Sequence, residues 1–480
     1  MADKAPNIIL IITDQQRFET INALGYPYMN TPNLDRLVKE GVNFDNCYIN
    51  GATCVPSRAS LFTGMHPHST GIMRNGNHWG KTWVSNLQKS GYRCINIGKM
   101  HTFPYNEPAG FHERYIVENK DRFLEERYYF DEWDKALAAH GLVKQQREQY
   151  RKRPDYNERL GAFEWELPKH LHSDNFVGGM AKWWLKSYPL TEPLFMQIGF
   201  PGPHPPFDPV ASFVKEYMEK DFPLPEFTDE ELAGLPEILK QLRIHNSKVD
   251  HDSIAWSLNP TQEQIKMMWA YYLANITMID EQVGEIIDTL DETGYLDNSI
   301  ILFVSDHGDC MGYHGQIEKW TMYDDITHIP CMAWSANPEL IKGGRTVSEQ
   351  VQLFDIGATI LELAGAEIPD YFEAKSLVPA LNGEAFVGRK YVFTEQAGDN
   401  TLVGCDLETG VRSKEWKYVH FLGVEGDQGQ LFNLADDPKE VNNLWDDPDH
   451  QAKKAELHGV LGQFHMESAY RTRNYHVTNR

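Results

Sequence analysis

The segment that organises the rest of this 480-residue chain is TCVPSRASLFTG, residues 53–64. Pro56 followed by a helix-forming run predicts the start of a helix, because proline suits a first helical turn. Cys54 then lies just ahead of the positive end of that helix, which attracts anions. A lone cysteine is usually an inert, buried thiol, but Arg58 adds a fixed positive charge one turn along. The segment therefore predicts a reactive group that faces an oxyanion.

Two continuous apolar runs, residues 8–12 (IILII) and 300–304 (IILFV), predict strands of a parallel sheet buried on both faces. The first run leads into Asp14 and the second into Asp306. An acid after a strand is often only a helix cap or a loop residue. Ligands of open α/β sheets bind at the carboxyl ends of strands, however, so two acids delivered to one edge indicate a metal site.

Three further segments carry histidine or lysine at the ends of predicted elements. Gly98-Lys99-Met100-His101 follows a strand-like run, and PGPHPPF at 201–207 surrounds His204 with four prolines that hold its ring on a rigid loop. Lys319 ends a third segment, residues 311–319. Taken singly, such residues are usually surface charges or structural histidines.

The order Cys-x-Pro-Ser-Arg, four residues, then Thr-Gly resembles the signature of the type I, formylglycine-dependent sulfatases of the alkaline phosphatase superfamily. In that family a formylglycine-generating enzyme oxidises the cysteine to an aldehyde, whose hydrate is the nucleophile. The resemblance implies a sulfatase, a sulfuric ester hydrolase that cleaves a sulfate monoester of an aryl or sugar alcohol. It also covers nearly the whole chain, and is weakest over residues 112–190.

The predicted fold class is α/β, a mostly parallel central sheet flanked by helices with a small C-terminal antiparallel-sheet subdomain. Beyond about residue 385 the pattern changes to short strands and turns. We therefore expect an alkaline-phosphatase-like catalytic α/β domain at 1–385 and a C-terminal α+β subdomain at 386–480.

Carried over residue by residue, the resemblance implies one set of metal ligands and one set of catalytic residues. The metal would be held by Asp14, Gln15, Asp306, His307 and the converted Cys54. The catalytic set would be Cys54, Arg58, Lys99, His101, His204 and Lys319. Many family members have an acid in place of Gln15 and an amide in place of His307. Calcium is the family's usual metal, and a histidine nitrogen is also compatible with manganese.

The implied mechanism assigns a task to each of two histidines. A hydroxyl of the formylglycine hydrate attacks sulfur while His204 protonates the departing alcohol, and His101 then takes the proton of the remaining hydroxyl so that sulfate leaves. Two alternatives stay open. One is a phosphonate monoester or phosphodiester hydrolase of the same superfamily, because those relatives have the same residue types at the positions of Gln15 and His307. The other is a non-catalytic anion-binding protein in which Cys54 remains a thiol.

Composition limits the partners and the compartment. The formal net charge of -24 and the sequence pI of about 5.2 argue against nucleic acid and anionic membranes as partners. The partner that the resemblance implies is a small sulfate ester or sulfated sugar, and because an acidic surface repels such an anion at long range, its attraction to the site must be local. No apolar stretch approaches the roughly 20 residues of a membrane helix. The six cysteines form no CxxC pair, and the first residues run directly into a strand without a signal-like segment. We expect a cytoplasmic protein and leave open whether it forms a homo-oligomer.

Overall fold

The computed structural model describes residues 5–118, 129–145, 147–189, 191–398 and 404–475. Among these residues no helix combines the length and the apolar character needed to cross a membrane. The chain alternates strands and helices up to about residue 380 and ends in a meander of strands followed by a long helix.

The strands, numbered in chain order, are short except for those at the centre of the main sheet. They are β1 (Asn7–Asp14), β2 (Val42–Phe44), β3 (Cys47–Tyr48), β4 (Arg93–Gly98), β5 (Glu113–Ile116), β6 (Leu194–Pro203), β7 (Ser299–Ser305), β8 (His328–Ile329), β9 (Cys331–Trp334), β10 (Arg345–Val347), β11 (Val351–Gln352), β12 (Val392–Ala397), β13 (Leu407–Arg412), β14 (Trp416–Leu422) and β15 (Gln428–Asn433).

The α-helices range from single turns to one of 31 residues. They are α1 (Pro32–Glu40), α2 (Cys54–Thr63), α3 (Pro67–Thr70), α4 (Val84–Lys89), α5 (Glu132–Ala139), α6 (Arg147–Tyr150), α7 (Ser173–Ser187), α8 (Ala211–Glu219), α9 (Asp229–Gly234), α10 (Glu237–Asn246), α11 (Gln262–Glu292), α12 (Asp324–Thr327), α13 (Asp355–Leu363), α14 (Val378–Leu381) and α15 (Gln451–Thr472).

In the part of the chain that the structure describes, the main sheet has eight strands in the order β10-β2-β9-β7-β1-β6-β4-β5. Strand β1 lies near its centre and pairs in parallel with β6 on one side and β7 on the other. Within this sheet β9 runs antiparallel to its neighbours β2 and β7. The structure therefore confirms the predicted mostly parallel α/β sheet, with both apolar runs as its central strands.

Both faces of the sheet are covered by helices. Alternate residues of β1 point to opposite sides: Ile8, Leu10 and Ile12 join one apolar cluster, and Ile9 and Ile11 join another. The first cluster includes side chains of α2 and α13, and the second includes side chains of α7 and α11. Burial on both faces explains why the strand is uniformly apolar rather than alternating.

The C-terminal strands form an antiparallel sheet in the order β12-β13-β14-β15, against which α15 packs. This confirms the predicted small antiparallel subdomain, while the boundary at residues 385/386 stays a prediction. Partly buried ion pairs link the subdomain to the main body: Asp324 pairs with Arg412 at 2.8 Å and with Lys417 at 2.5 Å.

One close backbone approach fixes the end of β4. Gly98 has a φ of +90°, and a Cβ there would lie 2.1 Å from the carbonyl oxygen of Gly199 on β6. Only glycine fits this conformation and this contact. The next residue, Lys99, donates its backbone N–H to the same carbonyl at 2.8 Å. The glycine pair therefore sets where the Lys99 side chain leaves the sheet.

Candidate active site

The site lies at the carboxyl edge of the two central strands. Thr13 of β1 is in register with Ser305 of β7, so Asp14 and Asp306 emerge side by side. The backbone N–H of Asp306 donates to the Thr13 carbonyl at 3.1 Å, and the backbone N–H of Gln15 donates to Asp306 Oδ1 at 3.0 Å. Both carboxylates are fully buried. The strand pairing thus brings together two acids that lie far apart in the sequence.

Helix α2 places the cysteine against this pair. The helix begins at Cys54 rather than at Pro56, so the predicted start was two residues late. It ends at Thr63, and the next residue, Gly64, caps it with a φ of +71°. Every residue of α2 is buried. Cys54 Sγ lies 3.1 Å from His307 Nε2 and 3.7 Å from Asp14 Oδ1. The thiol therefore faces the two strand ends from the positive end of its helix.

Two buried cations neutralise the two acids. Arg58 donates through Nε to Asp306 Oδ2 at 2.6 Å and through Nη2 to Asp14 Oδ2 at 3.1 Å. Lys99 Nζ lies 2.7 Å from the same Asp14 oxygen. A third Arg58 bond, from Nη1 to the Lys99 carbonyl at 2.9 Å, fixes the guanidinium against the end of β4. Pairing is required here because a buried charge without a partner is costly.

These charges control the protonation of the site. Burial would raise the pKa of Asp14, but the charges of Lys99, His204 and Arg58 hold it well below its usual value. Burial would likewise lower the pKa of His307, yet the neighbouring Asp306 and Cys54 raise it to about 9. The carboxylate of Asp14 is thus ionised at neutral pH, and a metal that binds His307 would compete with a proton for its ring nitrogen.

A second group of side chains adjoins the first through Gln15. Its amide nitrogen donates to Asp309 Oδ2 at 2.6 Å, and its oxygen accepts from Lys319 Nζ at 3.0 Å. Lys319 Nζ also lies 3.0 Å from His204 Nε2 and 3.0 Å from Asp252 Oδ2. This group combines a cation, an imidazole and a carboxylate within hydrogen-bonding reach of each other.

The ring of His204 is held on its proline-rich loop as the sequence predicts. Its Nδ1 lies 2.7 Å from the carbonyl oxygen of Pro205, which fixes that nitrogen as the donor and leaves Nε2 facing Lys319 and Asp252. Burial and the charge of Lys319 lower the pKa of His204, and Asp252 opposes them. Asp252 therefore favours the protonated imidazole.

His101 follows two residues after Lys99 and is buried. Its φ of +66° is rare for a residue with a side chain, and its backbone N–H donates to Glu118 Oε2 at 3.0 Å. Burial raises the pKa of that glutamate to about 7. The role of His101 as the acceptor of the nucleophile's proton stays a prediction.

Comparison with known proteins gives the family. A family model described as Sulfatase matches residues 6–366. A second, described as N-sulphoglucosamine sulphohydrolase, C-terminal, matches residues 312–467. The first alone spans well over half of the sequence. The chain belongs to the sulfatase family.

The sulfatase is similar to curated proteins over nearly its whole length. It is 30% identical over 477 residues to an arylsulfatase of Clostridium perfringens, with 95% of this chain and 93% of the relative covered. It is 26% identical over 524 residues to an N-acetylglucosamine-6-O-sulfatase of Bacteroides thetaiotaomicron, with 95% and 86% covered. The resemblance seen in the sequence is thereby confirmed, and the protein is a sulfuric ester hydrolase.

A solved structure gives the same fold. The sulfatase superposes on a phosphonate monoester hydrolase of Agrobacterium radiobacter with a TM-score of 0.80, 24% identity and 96% of each chain covered. At this level of identity the likeness establishes the architecture alone.

Four side chains of the sulfatase fit a divalent metal by position and chemistry. The candidate donor atoms of Asp14, Cys54, Asp306 and His307 all lie within 4.8 Å of one another, and all four residues are buried. Two carboxylates suit a hard cation, and the imidazole also suits a transition ion. Gln15, the fifth predicted ligand, uses its amide oxygen for Lys319, although a carbonyl oxygen has a second lone pair.

Sequence reasoning missed two acids of the sulfatase site. Asp309 lies only three residues beyond Asp306 in the same segment. Its position shortly after a buried strand could have identified it as a site residue. Asp252 reaches the site from a loop between α10 and α11, in a left-handed conformation with a φ of +48°. No feature of the local sequence predicts that Asp252 lies beside His204 and Lys319.

Proposed function

We propose that this sulfatase hydrolyses sulfate monoesters of aryl or sugar alcohols, with a formylglycine derived from Cys54 as nucleophile. The observation that carries the proposal is the placement of Cys54 at the start of α2, 3.1 Å from His307 and beside two acids that pair with Arg58 and Lys99. The names of the two curated relatives, an arylsulfatase and an N-acetylglucosamine-6-O-sulfatase, support this substrate class.

The proposed metal ligands are Asp14, Asp306, His307, the converted residue 54 and the oxygen of Gln15. We propose calcium as the metal, because most of the donors are oxygen atoms, and manganese as the alternative that the imidazole permits. A bound divalent ion would supply positive charge next to the sulfate oxygens. Replacing the ion by calcium or manganese after chelation, and measuring activity with each, distinguishes the two.

The protein's own cations share the task of binding the sulfate. Lys99 contacts Asp14 and Lys319 contacts Gln15, which are two of the proposed metal ligands. Their buried positions make each charge more effective than it would be in water. We propose that Lys99, Lys319 and Arg58 together compensate the charge of the sulfate group.

Proton transfer is the proposed task of the two histidines. His204 Nε2 faces Lys319 and Asp252 and would protonate the departing alcohol. His101 would take the proton that the hydrated aldehyde must lose for sulfate to leave. Both assignments require only proton movement at a ring nitrogen, which histidine performs near neutral pH.

The alternative substrate class is a phosphonate monoester or a phosphodiester. It would use the same nucleophile, and the fold of the phosphonate monoester hydrolase is shared. Rates on p-nitrophenyl sulfate and on p-nitrophenyl phenylphosphonate decide between them. We expect the larger kcat/KM for the sulfate, and the reverse order would transfer the proposal to the phosphonate class.

The nucleophile itself is tested by peptide mass in protein expressed in its own host. Conversion of the Cys54 thiol to the aldehyde removes about 18 Da from the peptide that carries it. The peptide with Cys94, another buried cysteine, should keep its thiol mass and is the internal control. An unmodified Cys54 in active protein would contradict the proposal, and an unmodified Cys54 in inactive protein would favour an anion-binding role.

A further inference from the structure

A second group of metal-binding side chains lies away from the candidate active site. His68, Glu395 and His465 each offer a ligand atom, and these atoms lie within 4.8 Å of one another. They come from three separate elements, the short helix α3, the strand β12 and the C-terminal helix α15. The group therefore joins the catalytic body to both parts of the C-terminal subdomain.

Glu395 is the centre of this group and is fully buried. Its Oε2 lies 2.7 Å from His68 Nδ1 and 3.2 Å from the backbone nitrogen of His68. Its Oε1 lies 3.7 Å from His465 Nδ1 and has no hydrogen-bond partner among the described residues. A buried carboxylate oxygen without a partner is costly and indicates a missing cation or proton.

The ring of His68 is oriented by hydroxyl groups on its far side. Its Nε2 lies 2.7 Å from Ser468 Oγ, which in turn lies 2.9 Å from Ser69 Oγ. Ser468 can accept the Nε2 proton, and Nδ1 shares a proton with Glu395 that a bound ion would replace. Metal-binding histidines are commonly held in this way by an acceptor on the other ring nitrogen.

The spacing of the three groups suits a zinc-sized ion. Ligands about 2.0 Å from a tetrahedral ion are roughly 3.3 Å apart. The 3.7 Å between Glu395 Oε1 and His465 Nδ1 is close to that value, whereas the 2.7 Å between Glu395 Oε2 and His68 Nδ1 is a hydrogen-bond distance that would open by about 0.6 Å around an ion. Two imidazoles and one carboxylate favour zinc or a similar transition ion over calcium, which prefers oxygen ligands.

We infer that His68, Glu395 and His465 form a second metal site, for zinc or a similar transition ion, with the fourth position open to water. The strand that carries Glu395 also touches the segment leading to the nucleophile. The Glu395 backbone N–H donates to the Asn50 carbonyl at 2.9 Å, and Thr53 Oγ1 donates to Gln396 Oε1 at 2.8 Å. An ion at this position would tie α15 to the chain that enters α2.

The test compares the zinc content of two variants of the full-length protein. His465→Gln removes a proposed ligand, and His458→Gln makes the same change at an exposed position of the same helix. Both proteins are saturated with zinc, desalted and analysed by mass spectrometry for metal. We expect the His458→Gln protein to match the wild type and the His465→Gln protein to hold about one zinc fewer per chain. Both variants keep the candidate active site unchanged, so any zinc bound there is the same in the two proteins and does not affect the comparison.

Thermal unfolding gives a second measurement. A ligand that binds only the folded state raises Tm, so added zinc should raise the Tm of the wild type and of His458→Gln. The zinc-induced increase in Tm should be smaller in His465→Gln, because that variant lacks the part of the increase that comes from zinc bound at the second site. Equal zinc contents and equal Tm shifts in the two variants would overturn the inference and leave a hydrogen-bonded histidine–glutamate pair. His68→Gln, changed on another element, must reproduce the loss of zinc.

Discussion

Replacing Asp252 with asparagine removes one charge from beside the proposed general acid. Asp252 Oδ2 lies 3.3 Å from His204 Nε2 and 3.0 Å from Lys319 Nζ. Asparagine has nearly the same shape, so the change leaves the packing in place and alters the electrostatics. We expect the protonated form of His204 to lose a stabilising partner while Lys319 continues to repel it.

The magnitude follows from the distance. Two unit charges 3.3 Å apart interact by about 5 kcal/mol at an effective dielectric constant of 20, an upper bound that corresponds to a pKa change of about 3.7. One opposite charge close to a titratable group is observed to change its pKa by about 1 to 3. Burial and Lys319 already lower the pKa of His204, so the loss of Asp252 moves it further down.

The assay is the pH dependence of kcat with two leaving groups. The basic limb of the profile should move to lower pH by about 1 to 3 pH units for an alkyl or sugar sulfate. Above that limb the rate should fall about tenfold for each pH unit by which the limb has moved. With p-nitrophenyl sulfate, whose phenolate leaves without a proton, the loss should be less than about tenfold.

The matched control is Asp250→Asn on the same loop. Asp250 pairs with Arg151 at 2.5 Å and accepts from the Tyr156 hydroxyl at 2.7 Å, away from His204. Its variant should keep the wild-type pH profile. An unshifted limb in Asp252→Asn, with equal losses on both substrates, would refute the assignment of His204 as the acid that Asp252 supports.

Two further predictions concern stability. Burial would lower the pKa of His314, but Asp325 and Glu231 raise it to about 9. The stabilisation of the folded protein by these two ion pairs is therefore complete below pH 6.5, the ordinary pKa of histidine, and is lost as the pH rises through 9. His314→Gln should therefore lower the free energy of unfolding by up to about 3 kcal/mol at pH 6 and by much less at pH 9.5. Urea titrations at the two pH values check this, and a loss independent of pH would contradict it. Gly98→Ala should destabilise by about 2 to 4 kcal/mol, because the φ of +90° and the contact with Gly199 both oppose a Cβ. Gly91→Ala, with a φ of +88° and nothing within 4 Å of its Cβ, should cost only about 1 kcal/mol in the same denaturation experiment, and equal losses would show that the contact is unimportant.

The sequence is informative where local pattern and burial agree. The apolar runs at 8–12 and 300–304 predict central strands because both faces of those strands are covered, and the structure confirms them. The start of α2 was displaced by two residues because Pro56 can occupy the third helical position as well as the first. Local rules thus identify elements and leave their ends less certain.

Contacts between distant segments are harder to predict. The residues proposed around Asp14 and Cys54 come together because β1 and β7 pair in parallel, which two apolar runs suggest but do not specify. Asp252 joins His204 and Lys319 only through the path of a loop with a left-handed turn. Aspartate in a polar loop is common, so no sequence pattern separates this one from a solvated residue.

Cys54 is synthesised well before some of the residues that enclose it in the folded protein. The thiol is only 3% exposed in the finished fold, and one of the elements that enclose it, β7 with Asp306 and His307, follows far downstream. At about 5–20 residues per second, the roughly 245 residues between Cys54 and Ser299 take about 12 to 50 s to synthesise. During that interval the cysteine cannot yet be enclosed by the second central strand. Any enzyme that converts the thiol therefore has a period of seconds to reach it, and slower translation would lengthen that period.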